Sequence, residues 1–394
     1  SLIPLYKKGD ARMPSNYRGI SLCCIPLKVL ESMLIARIDP FEDRLLRNNQ
    51  VAFRKGRGCT EQIFCLRHLL QSRHEYRQPV IVAYIDFSGA FDSLDRDCIW
   101  NVLQCKGLPA KIVSIFKAVY DVTAITVKVY NTSSAQFEVR TGVRQGGVSS
   151  PTLFSLVIDW ALDMALRGST DGVRLAPSGV HVTDFDFADD IALVSEDEAA
   201  LDRMLQRVKY YAEMVGLQIS IKKTKLQKCC CDAPSISING SALELVDNFQ
   251  YLGSQIGCDG SSAVDLEARV VKAGRVFKQL QYPLWSRRNI SIKTKVRVYE
   301  AVVRSTLLYA AETWVISAQQ RAKLDTFERA CWRRILGISK LDRMTNVDLQ
   351  SVVNLKSIDE VLRQRRLRLF GHILRLDDSR LPKRLIMSTA QADW

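Results

Sequence analysis

Histidine is scarce, with four in 394 residues, and no two of the eleven cysteines stand in a C-x-x-C pair. Neither residue type offers a recognisable zinc set. The cysteines are odd in number, and Cys229, Cys230 and Cys231 are consecutive on an expected loop, which argues for reduced thiols rather than a disulfide framework. No stretch approaches the roughly 18 apolar residues of a membrane span. No secretory leader opens the chain, so the expectation is an intracellular protein, nuclear or cytoplasmic, that neither leaves the cell nor enters a membrane. The chain starts at Ser1 rather than Met, which reads as a piece of a longer frame. Internal repeats and low-complexity tracts are also missing.

The chain is ordinary in composition, with 47% hydrophobic and 8% aromatic residues, and long enough for two or three domains. Its net charge of +14 is unevenly placed. Residues 261–394 hold 26 Lys and Arg against 13 Asp and Glu, which leaves 30 against 29 in the first 260. A basic region joined to a neutral one suggests a polyanion grip beside a separate chemical site. The pattern of elements changes at the same place, so the expected division is residues 1–258 and residues 259–394.

Val80 to Phe87 (VIVAYIDF) is a continuous apolar run and reads as a buried strand that delivers Asp86 at its end. Asp97–Leu108 and Ala110–Tyr120 read as helices, ITVKVYN and FEVRTGV as paired strands, and Pro151–Leu166 as an apolar helix with proline in its first turn. FDFADDIALV reads as a hairpin with its aspartates at the turn, and Glu198–Gly216 as an amphipathic helix. LQIS and FQYLGSQI read as further strands. Beyond Gly260 the pattern is helical, with stretches at Lys293–Tyr309, Arg321–Leu336 and Ile358–Leu376.

Asp189 and Asp190 lie side by side inside an apolar run, where an uncompensated carboxylate is costly. On its own, such a pair is compatible with a solvated turn. If the strand ending in Asp86 neighbours the hairpin, three carboxylates meet at one sheet edge and require divalent cations. Oxygen-only ligands suit Mg²⁺, and two such ions would clamp an in-line phosphoryl displacement. Two loops accompany this set. TGVRQGGVSSP (Thr141–Pro151) holds Gln145 and Gly146 on a glycine-rich loop, with Ser149 and Ser150 available as helix caps. FRKGRGCTEQ (Phe53–Gln62) gathers Arg54, Lys55 and Arg57, which suit a triphosphate or simply a solvated basic turn. No second acidic cluster is legible, so no RNase H domain is expected.

In order, KKGDARMPSNYRGISL, QVAFRKGRGCTEQ, YIDFSGAFDSLDRDCIW, TGVRQGGVSSP, FADD, GLQISIKKTK and FQYLGSQI resemble the blocks of the reverse transcriptases of non-LTR (LINE-type) retrotransposons. LLYAAETW, FERACWRRILGI and RRLRLFGHILRL further resemble the RTE-like branch. The resemblance implies an α+β right-hand polymerase, with fingers and a ferredoxin-like palm followed by a mainly helical thumb. It implies that Asp86, Asp189 and Asp190 are the catalytic, metal-binding aspartates, holding two Mg²⁺ ions with Mn²⁺ as a substitute. Phe91 matches the bulky residue beneath the sugar, with Phe87 in the same block. Arg54, Lys55 and Arg57 match a triphosphate-contacting segment, Gln145 and Gly146 the loop lining the nucleotide and template pocket, and Lys223 the lysine near the leaving pyrophosphate. The partners implied are an RNA template, a DNA primer or target and dNTPs, with an endonuclease domain upstream.

Several positions depart from the family pattern: Gly19, Gly89, Gly147, Ser149 and Ser220 replace its usual residues, and none of them removes a carboxylate. The alternative reading is a catalytically decayed polymerase fold that binds nucleic acid. A nucleotide cyclase on a similar palm would account for the carboxylates, but not for the basic loop, the glycine-rich loop and the basic tail together. In that tail, RQRRLR (Arg363–Arg368) reads as a phosphate-tracking stripe or as the solvated face of a helix.

Overall fold

The computed structural model describes residues 1–121, 123–175, 179–232 and 234–388. Two compact units are present, residues 1–62 with 78–246 and residues 63–77 with 247–388. The break at 246/247 precedes the expected 258/259 because the hairpin at 248–257 packs with the helix that follows it.

In the first unit, β1 (Leu2–Tyr6) and β2 (Tyr17–Ser21) form a hairpin that leads into α1 (Ile25–Ile38). β3 (Val80–Ile85) is buried at all six positions, as its uninterrupted apolar run requires. α2 (Arg96–Cys105) starts at Asp95, whose carboxylate accepts from the Cys98 N–H. Then come α3 (Ala110–Asp121), the apolar α4 (Ser150–Leu166), and the hairpin of β4 (Asp184–Phe187) and β5 (Asp190–Ser195). α5 (Glu198–Met214), capped by Asp197, is followed by β6 (Lys225–Cys229) and the short β7 (Glu244–Leu245).

The sheet runs β4-β5-β3-β6-β7, with β3 antiparallel to both of its neighbours. Its first four strands, with α4 and α5 packed on each other, make the β-α-β-β-α-β ferredoxin-like order expected of a palm. Phe154, Leu162, Leu193, Leu201, Leu205 and Leu226 lie in the core between sheet and helices. The α+β class expected from the sequence is thus the class observed.

Three strand readings need correction. ITVKVYN is not one strand. Ala124–Ile125 pairs with Phe137–Glu138, while Lys128–Val129 turns back on Thr132–Ser133 over Tyr130, whose φ is 51°. LQIS contributes only a bridge between Ile219 and Phe87. Cys229 ends β6 rather than lying on a loop.

The second unit begins with β8 (Asn248–Tyr251) and β9 (Ser254–Gly257), so FQYLGSQI is a hairpin rather than a single strand. Leu252 and Gly253, at φ 48° and 81°, turn the chain between them. Helices α6 (Ala263–Gln279), α7 (Ala318–Leu336) and α8 (Ile358–Leu374) follow. The expected helix at 293–309 is broken into α-helical Ile292–Val298, a π-helical stretch Tyr299–Arg304 and Ser305–Leu307. The wider turn brings residues five apart onto one side. Tyr299 donates to Glu328 at 3.2 Å, and Arg304 pairs with the same carboxyl at 2.8 Å. Trp285, Tyr299, Trp314, Leu324 and Trp332 form the core.

Within RQRRLR, Arg365 donates to the Leu308 carbonyl and Arg366 to the Trp314 carbonyl at 2.8 Å. These two guanidiniums pin α8 to the turn before α7, leaving Arg363 and Arg368 exposed. Replacing both Arg365 and Arg366 with Gln should destabilise the second unit by about 1–2 kcal/mol, seen as a lower unfolding midpoint. If the chain grips a polyanion, as its charge suggests, the salt dependence of that binding should stay as it was; a shallower slope would restore the phosphate reading of this pair. Among the described residues, no helix is long and apolar enough to cross a membrane.

Candidate active site

The strand pattern brings the three predicted carboxylates together. Ile85 on β3 pairs with Ile191 on β5, so the same register carried one residue further sets Asp86 opposite Asp190. Asp189 occupies the turn between β4 and β5, beside Asp190. The carboxyls feel one another. Partial desolvation, then the charges of Asp189 and Asp86, push Asp190 up to about 6. Asp189 is raised first by desolvation and next among the charges by Asp86, with Arg18 and Lys223 pulling the other way. Lys223 Nζ donates to Asp86 Oδ1 at 2.8 Å, at the mouth of the same cluster. One paired ammonium and the Arg18 guanidinium against three carboxyls leave the site short of positive charge. Its oxygen-only donor set fits a hard divalent cation.

The remaining predicted residues fall into two groups. Phe87 is buried behind Asp86 and bridges to Ile219. Phe91 stacks on Phe154 of α4, ring centroids 4.5 Å apart and nearly parallel, which fixes the orientation of its ring. Gln145 donates to Asp92 Oδ2 at 2.8 Å, and its carbonyl accepts from the Ser21 N–H. Gly146 has φ 106°, and a Cβ there would lie 2.7 Å from the Ser21 carbonyl oxygen, so no other residue fits. Together with Gly19, Ser21, Asp92 and Gly142 this loop lines a cleft of about 290 Å³.

Arg54 and Arg57 are engaged by the backbone and by Asp43. Arg54 is 4% exposed, donates to the carbonyls of Arg47 and Gln50 at 2.8 Å, and is paired with Asp43. Arg57 donates to the Asn48 carbonyl and to Asp43. An irregular segment leaves carbonyls without partners, and these two guanidiniums satisfy them. Of the three predicted cations, only Lys55 has an exposed side chain.

Sequence reasoning missed four features. Burial raises the proton affinity of both Asp189 and Asp92, and Arg18, exposed on β2, opposes this at both, as Lys7 does at Asp92. The N-terminal hairpin therefore supplies cations to the site. The N–H groups that open α4 are not capped by Ser149 or Ser150. Val148 and Ser149 instead donate to Glu31 Oε2 of α1, at 2.7 and 3.2 Å. A second acidic cluster, which the sequence did not disclose, lies buried beneath the hairpin: Arg47 pairs with Asp159, Asp184 and Asp186 at 3.0, 2.9 and 2.7 Å, and Lys106 reaches Asp159 at 2.7 Å. Burial, then the neighbouring Asp184 charge, push Asp186 up, whereas Asp184 ends low because the Arg47 charge and the hydrogen bonds from Asp186, Thr183 and Arg47 together outweigh its desolvation. Finally, Gln50 and Gln62 hold the hairpin itself, and the only local sign of Gln50 is its place before the basic loop.

The profile of the family described as reverse transcriptase (RNA-dependent DNA polymerase) matches residues 6–256. The chain is 26% identical over 302 residues to the Pol polyprotein of the type-2 retrotransposable element R2DM of Drosophila melanogaster, covering 73% of this chain and 28% of that protein. It is 24% identical over 408 residues to a probable RNA-directed DNA polymerase from transposon BS of the same fly, covering 98% and 43%. The chain thus spans less than half the length of either relative. Among solved structures, apo telomerase from Candida tropicalis aligns over 92% of this chain and 61% of its own at a TM-score of 0.41 and 10% identity.

Proposed function

The chain belongs to the reverse transcriptase (RNA-dependent DNA polymerase) family, and on that premise we propose that it extends a DNA primer on an RNA template as the polymerase of a non-LTR retrotransposon. The observation that carries this reading is the register that sets Asp86 opposite Asp190, with Asp189 beside it, in a site short of positive charge. Asp86, Asp189 and Asp190 would hold two Mg²⁺ ions, with Mn²⁺ as a substitute. Such ions supply charge neutralisation at the attacking and leaving oxygens. The protein's own contribution is mostly positioning and electrostatics.

The ring of Phe91, held by Phe154, would collide with a 2′-hydroxyl and so favour deoxynucleotides. Gln145 lines the cleft that would take the nucleotide and its template base, and Gly146 follows it on the same loop, packed against the Ser21 carbonyl. Lys223 sits where it can meet a departing pyrophosphate, as a proton donor or as a charge. Arg18, with Lys7 and Lys55, replaces Arg54 and Arg57 as the triphosphate hold. Arg18→Ala should raise the dNTP KM about tenfold to a hundredfold, the loss of one charge-assisted phosphate contact, with kcat much less affected; steady-state extension kinetics give both numbers. An unchanged KM would exclude Arg18 from the nucleotide site.

The second unit carries the grip. Lys272, Arg275, Lys278, Arg287, Arg288, Lys293 and Arg297 are all exposed, and no acid interrupts residues 272–299. Affinity for RNA or duplex should therefore fall steeply with salt. The RTE-like branch rests on the tail motifs alone. The test is direct: purified protein, a primed homopolymer RNA, dNTPs and Mg²⁺ should yield extended DNA. Salt-sensitive binding by folded protein without incorporation would favour the decayed-polymerase alternative.

A further inference from the structure

The turn that presents Asp189 and Asp190 is unusual in its first residue. Ala188 has φ 56°, a left-handed conformation that residues with a side chain adopt only when their surroundings hold them there. Turns with a positive φ at this position ordinarily carry glycine. Moreover, β4 is an edge strand, so β5 supports the hairpin from one side only.

On the other side lies the segment Arg47–Ala52. Gln50 is fully buried. Its Oε1 accepts from the Ala188 N–H at 2.8 Å and from the Ala52 N–H at 3.1 Å, and its Nε2 donates to the Ala188 carbonyl at 3.3 Å. Both backbone groups of one residue are thus held by one carboxamide. The two N–H donors facing Oε1 fix which end of the amide points where. Gln50 is held in turn. Arg54 donates to its carbonyl at 2.8 Å, and Gln62 Nε2 ties Asn49 to Asp186 through their carbonyls at 2.7 and 2.9 Å.

We propose that Gln50 is a positioning residue for the acid-bearing hairpin: its amide clamps Ala188 in the left-handed turn and so aims Asp189 and Asp190 at the shared site. The proposal rests on the polymerase reading above. No other side chain replaces this amide. Asparagine is a methylene too short, glutamate cannot donate to the carbonyl, and methionine does neither.

The test uses Gln50→Met, which keeps the volume and loses all three bonds. Mn²⁺ titration without nucleotide, followed by electron paramagnetic resonance, reads the hairpin independently of turnover. Mn²⁺ affinity and kcat should each fall about tenfold, while the dNTP KM stays within about twofold. Adding Ala188→Gly should recover part of both losses, because glycine takes the turn without being held. A general loss of stability would lower the active fraction without changing the Mn²⁺ dissociation constant, and glycine would not rescue it. Should Gln50→Met not refold, Gln50→Asn takes its place with the same readings. A folded variant with wild-type Mn²⁺ affinity and kcat overturns the proposal and leaves the polymerase reading standing. Wild-type protein that neither binds Mn²⁺ nor extends a primer overturns the polymerase reading itself.

Discussion

Asp189→Asn should reduce primer extension by about a thousandfold or more while leaving the unfolding transition almost where it was. The substitution is isosteric and removes one negative charge from a set of three carboxyls, of which Lys223 pairs with Asp86 and Arg18 acts on Asp189. Burial first, and the neighbouring carboxyl charges after it, hold Asp189 and Asp190 above their ordinary proton affinity, so desolvation and repulsion inside the cluster are a cost of the folded state. Removing a member relieves that cost. Stability should hold or rise slightly, while the pull on divalent ions weakens. Extension at saturating dNTP, beside a thermal melt of the same preparation, separates the two effects. Incorporation comparable with the wild type would remove Asp189 from the chemistry.

The second large effect is on folding. Arg47→Met should destabilise the first unit by about 3–5 kcal/mol, because it strands Asp184 and Asp186 in the core with no cation of their own. Urea unfolding measures this. Two milder variants test the charge assignment. Burial and the Asp184 charge push Asp186 up while Asp184 is held low, so Asp186→Asn should cost about 1 kcal/mol or less, whereas Asp184→Asn removes the anion that Arg47 needs and should cost more. The pH dependence follows. Asp186, pushed up in the fold, holds its proton more readily there than when unfolded, so its contribution is present at low pH and declines as pH rises past the ordinary carboxylate range. Asp184, held low, contributes above that range and loses its contribution as pH falls. Equal costs for the two asparagine variants would show that the proton is not localised on Asp186.

The palm was legible because its signals are local. VIVAYI and FDFADDIALV declare buried strands and a turn by their own periodicity, and those two strands alone bring Asp86 to Asp190. The buried acids were legible only in part. Asp184 and Asp186 alternate with Phe185 and Phe187, which puts both on one face of β4, but the guanidinium that makes their burial tolerable belongs to Arg47, far back in the chain. Arginines misled for a related reason. Arg54, Arg57, Arg365 and Arg366 resemble phosphate ligands in composition, and each satisfies a backbone carbonyl that irregular structure had left open. A sequence gives the number of cations but not which carbonyls lack a partner. Gln50 and Glu31 escaped notice for the same reason, since nothing near them in the chain marks the turn or the helix start that they serve.

The outermost strand of the sheet has a consequence for solubility. An open outer strand is a template on which a second chain can add, the usual route to sheet-to-sheet aggregation. Here β4 has its free side filled by residues 49–51, through the Gln50–Asp186 bridge and the Val51 N–H to the Asp186 carbonyl. At the opposite margin β7 is only two residues long and carries Glu244. Neither border of this sheet offers a long bare ladder to another copy.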